Sequence, residues 1–148
     1  MIDIIRYREY LIELQHAVNE QSEKKIDEIV MATKEGHLTK KLKDKAGLLL
    51  CANYPDSSYK GSTDAHTEKN QVLFFLLEKV PSGSEDNEQE IQHYAEIQRV
   101  MQIMKDELQQ RSSCGSIDAD EDMITEWEYD IFGGYNGLSL GLKLKDYD

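Results

Sequence analysis

The side chains best equipped for chemistry are few. Glu90 and His93 lie three positions apart in a stretch with helical period, which sets a carboxylate beside an imidazole and reproduces the Glu-x-x-His spacing of di-iron bundles. A di-iron centre requires that pair twice, with two more glutamates on partner helices, so Glu90 and His93 are expected to be a solvated helical pair. Asp118, Asp120 and Asp122 copy the first ligand positions of a calcium loop. Met123 then stands where that loop needs glycine and Tyr129 where it needs a bidentate glutamate, so the segment is expected to be a solvated acidic connection.

His16, His37, His66 and His93 are scattered, and neither Cys51 nor Cys114 has a neighbouring histidine or a motif that would activate a thiol. Cys51, inside an apolar run, is expected to be inert packing. No glycine-rich loop leads from a strand into a helix, and no Gly-Lys-Ser/Thr follows one, which argues against nucleotide hydrolysis. No metal, cofactor or catalytic residue is expected, and the chain is not expected to be an enzyme.

Contact residues are a different matter. Lys40, Lys41, Lys43 and Lys45 form a basic run in a chain of net charge −12, while 85–130 is dense in acids and carries Arg99, Lys105 and Arg111 as its bases. Tyr54, Tyr59 and Tyr135 lie in or beside expected loops, where tyrosine either anchors an interface or covers the edge of a core. The acidity disfavours binding to nucleic acid through phosphate contacts. Two cysteines cannot form a disulfide scaffold, and the start of the chain lacks the basic-then-apolar order of a signal peptide. With Val72 to Leu77 as the longest apolar run, no membrane span is expected, and the expected location is the cytoplasm.

At 148 residues the chain fits a single domain. Ile4, Tyr7, Leu11, Leu14 and Val18 follow the three-four spacing of an amphipathic helix. Ile26, Ile29 and Val30 resume that stripe, predicting a helix that continues or restarts before a stop at Gly36. Gly47 to Tyr54 reads as a buried strand, and 55–69 as a long exposed loop. Gln71 to Val80, apolar on both alternating faces, reads as a central strand covered on both sides.

Ser82 or Ser84 is positioned to cap a second long helix starting near Glu85, with the stripe Ile91, Tyr94, Ile97, Met101, Met104 and Leu108, ending near Arg111. In the tail, Trp127, Tyr129 and Ile131 alternate with acids, and Leu138, Leu140, Leu142 and Leu144 with Ser139, Gly141, Lys143 and Lys145. A hairpin through Phe132 to Gly137 is predicted, with acids paired to lysines across its polar face. The expected fold is α+β: an antiparallel sheet of about four strands, order α-β-β-α-β-β, with two long helices on one face.

That order of elements resembles tailed-phage tail-terminator and tail-completion proteins. NQVLFFLLEKV and the helix after it also look like small proteins of prophages and mobile elements in gut Bacteroidetes. The resemblance implies a structural, non-enzymatic role in a homo-oligomeric ring, often a hexamer, that caps a tail tube and contacts other phage proteins, with the virion as a second location. Lys40, Lys41, Lys43 and Lys45 are then expected to face the acidic segment of a neighbouring copy, unless the acids line a lumen through which DNA slides. The alternative is a small adaptor or regulatory binding protein contacting its partner through 55–69 or the turn at Tyr135. An enzyme or other cation-dependent protein using Asp118 to Asp122 is a third reading.

Overall fold

The computed structural model describes residues 1–62, 65–81, 83–111, 117–119 and 122–146, of which 58–62, 65–69, 117–119 and 145–146 are described as backbone alone. The elements run α1 (Ile4–Gln21), β1 (Ile26–Ala32), α2 (Glu35–Leu42), β2 (Leu48–Asn53), β3 (Asp56–Ser62), β4 (Ala65–Lys79), α3 (Asn87–Arg111), β5 (Ile117–Ala119), β6 (Ile124–Ile131) and β7 (Tyr135–Asp146). The class is α+β, with seven strands in one mixed sheet in place of about four antiparallel ones.

α1 begins where Asp3 Oδ1 accepts from the N–H groups of Ile5 and Arg6 at 2.9 and 3.0 Å. Its buried stripe is Tyr7, Tyr10, Leu11, Leu14 and Val18, and an extended Ser22 ends it. The expected resumption of the helix does not occur, because Ile26 to Ala32 form a strand. β-Branched Ile26, Ile29 and Val30 suit a pleated surface, and α1 pins their first residue. The Asn19 side-chain amide bonds both the N–H and the C=O of Ile26 at 2.8 and 2.9 Å, and Gln15 Nε2 reaches the same C=O at 2.9 Å. Gly36, expected as a stop, lies inside α2.

The main path of the sheet is β1-β2-β4-β7-β5, with β3 pairing β4 and β6 pairing β7. β1 and β2 are parallel and the other pairs antiparallel, so α2 is the crossover between two parallel neighbours. The expected loop at 55–69 is largely strand: Asp56 pairs with Gln71 and the ladder continues to Ser62 opposite Ala65. β2 and β3 thus run along the same side of β4. Strand periodicity reports a covered face, and the polar sequence Asp56 to Ser62 has no apolar alternation from which a strand could be read.

Helices cover both faces of the sheet, not one. α1 and α3 enclose Val72, Phe74, Leu76, Leu138, Leu140, Leu142 and Leu144 on one side. On the other, Leu38 and Leu42 of α2 pack with Val30, Leu49, Cys51, Phe75, Leu77 and Tyr135. β4 from Val72 to Leu77 therefore feeds a core on each side, as its unbroken apolar run predicts. Each fully buried leucine contributes roughly 1.5–3 kcal/mol.

α3 starts within two residues of the expected position, but Ser84, which is exposed, does not supply its cap, and Ser82 lies outside the described residues. Asp86 Oδ1 accepts from the Gln89 N–H at 2.8 Å while Gln89 Oε1 accepts from the Asp86 N–H at 2.9 Å, a reciprocal capping box. The tail hairpin forms with a tighter turn than expected: Phe132, Gly133 and Gly134 have φ of 51°, 89° and 104°. β7 already begins at Tyr135. Glu126 and Glu128 pair with Ser139 and Gly137, so the expected cross-strand ion pairs to Lys143 and Lys145 do not form in this register.

Candidate functional site

α2 builds the lysine-bearing surface. Lys40 and Lys41 occupy its last turn, where positive charge complements the helix C-terminus, and Lys43 follows as its exposed C-cap. The run is not one uniform patch. Lys41 Nζ donates to Met31 O at 2.6 Å and lies 6.0 Å from the Tyr54 ring centre, while Lys45 pairs with Glu28 at 2.9 Å. Lys40 and Lys43 project into solvent with no ion-pair partner among the described residues. Half-buried Tyr54 sits beside Lys41, its ring edge-on to His37 at 6.5 Å.

Tyr135 reaches the same region from beneath. It is 1 % exposed, and its hydroxyl donates to Leu42 O and lies 2.9 Å from Lys45 O. The tyrosine expected at a surface turn is thus a core residue bracing the end of α2, and burial raises its hydroxyl pKa. The side chain of Tyr59 lies outside the described residues.

His93 does not pair with Glu90. Its side chain is 9 % exposed and points between Glu78 of β4, at 3.4 Å from Nε2, and Glu85, at 3.8 Å from Nδ1. Lys24 Nζ lies 2.6 Å from Glu78 and 3.4 Å from Glu96. The His93 contact holds the Glu78 carboxyl down at about 2 against burial, with Lys24 assisting, and the same contact raises His93. This cluster of five charged side chains, open to a cleft of about 500 Å³, joins the end of α1, β4 and the start of α3. Sequence reasoning missed it, since its members are far apart in the chain.

The Glu-x-x-His spacing also occurs at Glu13 and His16 of α1, which sequence reasoning passed over. Both are exposed, and Glu13 lies 3.5 Å from Arg111. Arg111 is 21 residues along α3 from Glu90, about 30 Å at the helical rise, so the two pairs do not converge. Among the described residues no three His, Cys, Asp or Glu side chains gather as a metal site. Asp120 and Cys114 lie outside the described residues, Asp118 is backbone alone within β5, and Asp122 is exposed. Cys51 is fully buried, its thiol pushed up to about 12 by burial.

The opposite end of the sheet is aromatic and acidic. β6 has β7 on one side and no strand on the other among the described residues. Trp127 and Tyr129, expected to face the core, are 59 % and 65 % exposed, and Ile124 is 66 % exposed. α3 overhangs the strand without covering it. Tyr94 stands edge-on to Trp127 at 5.6 Å and donates its hydroxyl to Glu128 O at 2.7 Å, leaving Ile91, expected in the core stripe, half exposed at 50 %. Burial, with Glu90 and other nearby acids, pushes the Tyr94 hydroxyl to about 12.

On the α2 side of the sheet an open groove of about 710 Å³ runs between α2 and β6, with Leu73, Phe75, Ile124 and Phe132 in its walls and floor. No helix among the described residues is long and apolar enough to cross a membrane. No protein-family model matches the chain, and no curated protein matches it either.

Proposed function

We propose that the protein is a non-enzymatic assembly component of the tail-terminator type, from a phage or prophage, which works by joining to further copies of itself and to other proteins of the particle. The observation that carries this reading is the unlike character of the two ends of the sheet. One end presents aromatic side chains and acids on an edge strand, and the other presents lysines on α2. Single exposed apolar residues are ordinary, but Trp127, Tyr129 and Ile124 together on one edge strand are a liability in a monomer, and covering their side chains with another chain removes it. Two different surfaces at opposite ends generate head-to-tail contacts, which close into rings when the rotation between subunits allows. The order of elements is less simple than the expected one that resembles tail terminators, since β1 and α2 follow the first helix and β5 precedes the closing β6-β7 pair, so the reading rests on the two surfaces and not on topology.

The test is absolute mass in solution by light scattering across protein and salt concentration, followed by microscopy of whatever forms. A closed oligomer, or assembly that grows with concentration, is the expected result. A strict monomer at every concentration removes the self-association on which the reading depends. The adaptor reading is favoured by one observation, the open groove between α2 and β6. A stable monomer that retains a partner protein at one-to-one stoichiometry, and loses it on Leu73→Glu, would put that reading first.

A further inference from the structure

We infer that the aromatic-acidic end built by β6 and the start of α3 docks onto the lysine-bearing end built by α2 and β1 of a second copy of this chain. The inference rests on the self-association reading above and names the surfaces that would carry it.

Charge complementarity selects the occupant. β6 carries Glu126, Glu128 and Asp130 and no base, whereas residues 34–45 hold five lysines against Glu35 and Asp44. Asp44 is engaged by Lys79 at 3.4 Å, Lys45 by Glu28 and Lys41 by Met31 O, which leaves Lys34 at the start of α2 and Lys40 and Lys43 at its end to face a partner. Two copies meeting through β6 on both sides would set these acids against themselves. Like charges held at short range repel, so a two-fold contact at this edge is disfavoured and a head-to-tail contact favoured.

The faces of the sheet agree with this arrangement. On β6, Glu126 and Glu128 pair with Ser139 and Gly137 and so lie on the α2 side, whereas Trp127 pairs with Leu138 on the α1/α3 side. At the far edge, α2 brings its lysines to the matching side, and half-buried Ile29 and Met31 of β1 lie on the α1/α3 side. When a second copy follows in the same orientation, acids meet lysines across one face and Trp127 and Tyr129 meet Ile29 and Met31 across the other. A tryptophan and tyrosine centre with a charged rim is the composition in which interface energy concentrates. The ladder itself does not continue from copy to copy, because Lys41 Nζ already caps Met31 O on the β1 edge.

The experiment uses the full chain and two end-specific variants, Trp127→Glu for the β6 end and Lys40→Glu/Lys43→Glu for the α2 end. Tyr129→Glu serves as a second β6-end variant should Trp127→Glu disturb the contact with Tyr94. Each is first checked for a cooperative melt like that of wild type. Expected by light scattering is assembly of wild type, loss of assembly in each variant alone, with the apparent association constant at least about tenfold weaker, and a species of just two chains when the two kinds are mixed. That capped pair is the signature of a head-to-tail contact, since each variant keeps one working end. Wild type and both kinds of variant assembling alike would overturn the assigned surfaces while leaving self-association standing, as would variants that fail alone and form no pair on mixing. A wild type that never assembles overturns both.

Discussion

The hydroxyl of Tyr135 closes a gap that backbone pairing leaves at the end of α2. Leu42 and Lys45 frame the tight turn through Asp44, whose φ is 61°, and the single proton of the phenol is shared between their two carbonyls. Lys45 N–H also donates to Leu42 O at 3.0 Å, so removing the phenol leaves Lys45 O with the larger deficit. Tyr135→Phe is expected to cost about 1–2 kcal/mol, read as a lower urea midpoint at unchanged slope. Because that turn carries Lys43, the same variant should also weaken the proposed head-to-tail assembly. Gly137 is the more demanding position: a Cβ there would sit 1.8 Å from Leu76 O, a backbone atom with nowhere to move. Gly137→Ala is expected to cost more than about 3 kcal/mol or to abolish the cooperative melt, in contrast to Gly133→Ala, where space is open and only the positive φ is strained.

Among the elements, α3 shows how a helix can start sharply without the residues that first suggest a cap. The reciprocal bonds between Asp86 and Gln89 satisfy two N–H groups that would otherwise be unpaired, and Asp86→Ala is expected to cost about 1 kcal/mol, with earlier loss of helical circular dichroism on heating. Buried periodicity made α1, the core strand of β4, α3 and the leucines of β7 legible in the sequence, because each presents a continuous stripe to a core. β1 was not legible, since Ile26, Ile29 and Val30 fit a helical stripe and the deciding bonds come from Asn19 and Gln15, on another element. Asn136-Gly137, expected within the hairpin turn, lies in β7. Asn136 Oδ1 instead accepts from the Asp130 N–H at 2.7 Å where β6 bulges, and Gly137 is glycine because β4 passes too close for a side chain. The alternation of Trp127 and Tyr129 announced a strand correctly. It could not reveal that the layer above the strand stops at Tyr94 and leaves both rings exposed. The lysine run was legible as charge, and its division into bonded and projecting members was not, because Met31 O and Glu28 come from β1.

At the scale of the whole molecule, one ion cluster ties three elements that also share a hydrophobic core through Val18, Leu76 and Ile97. Lys24, just after α1, and His93 of α3 both meet Glu78 near the end of β4, with Glu85 on the far side of His93 and Glu96 on the far side of Lys24. Glu78 is held at about 2, below its ordinary 4.5, so its contribution is present above about 4.5 and lost as pH falls towards 2. His93 is raised above its ordinary 6.5 by Glu78 and, less strongly, by Glu85, so its contribution is complete below 6.5 and lost as pH rises through the higher folded value. The two limbs together place the cluster's full effect between about pH 4.5 and 6.5. His93→Gln is expected to lower the melting temperature in that window by about 2–4 °C, the shift produced by about 1 kcal/mol in a domain of this size. The difference from wild type should shrink as pH rises past the folded value of His93, where the wild-type imidazole has lost its charge. Melts of both proteins from pH 4 to 9 make the comparison, and a difference that stays constant across that range would mean that His93 stabilises the junction by packing and not by charge.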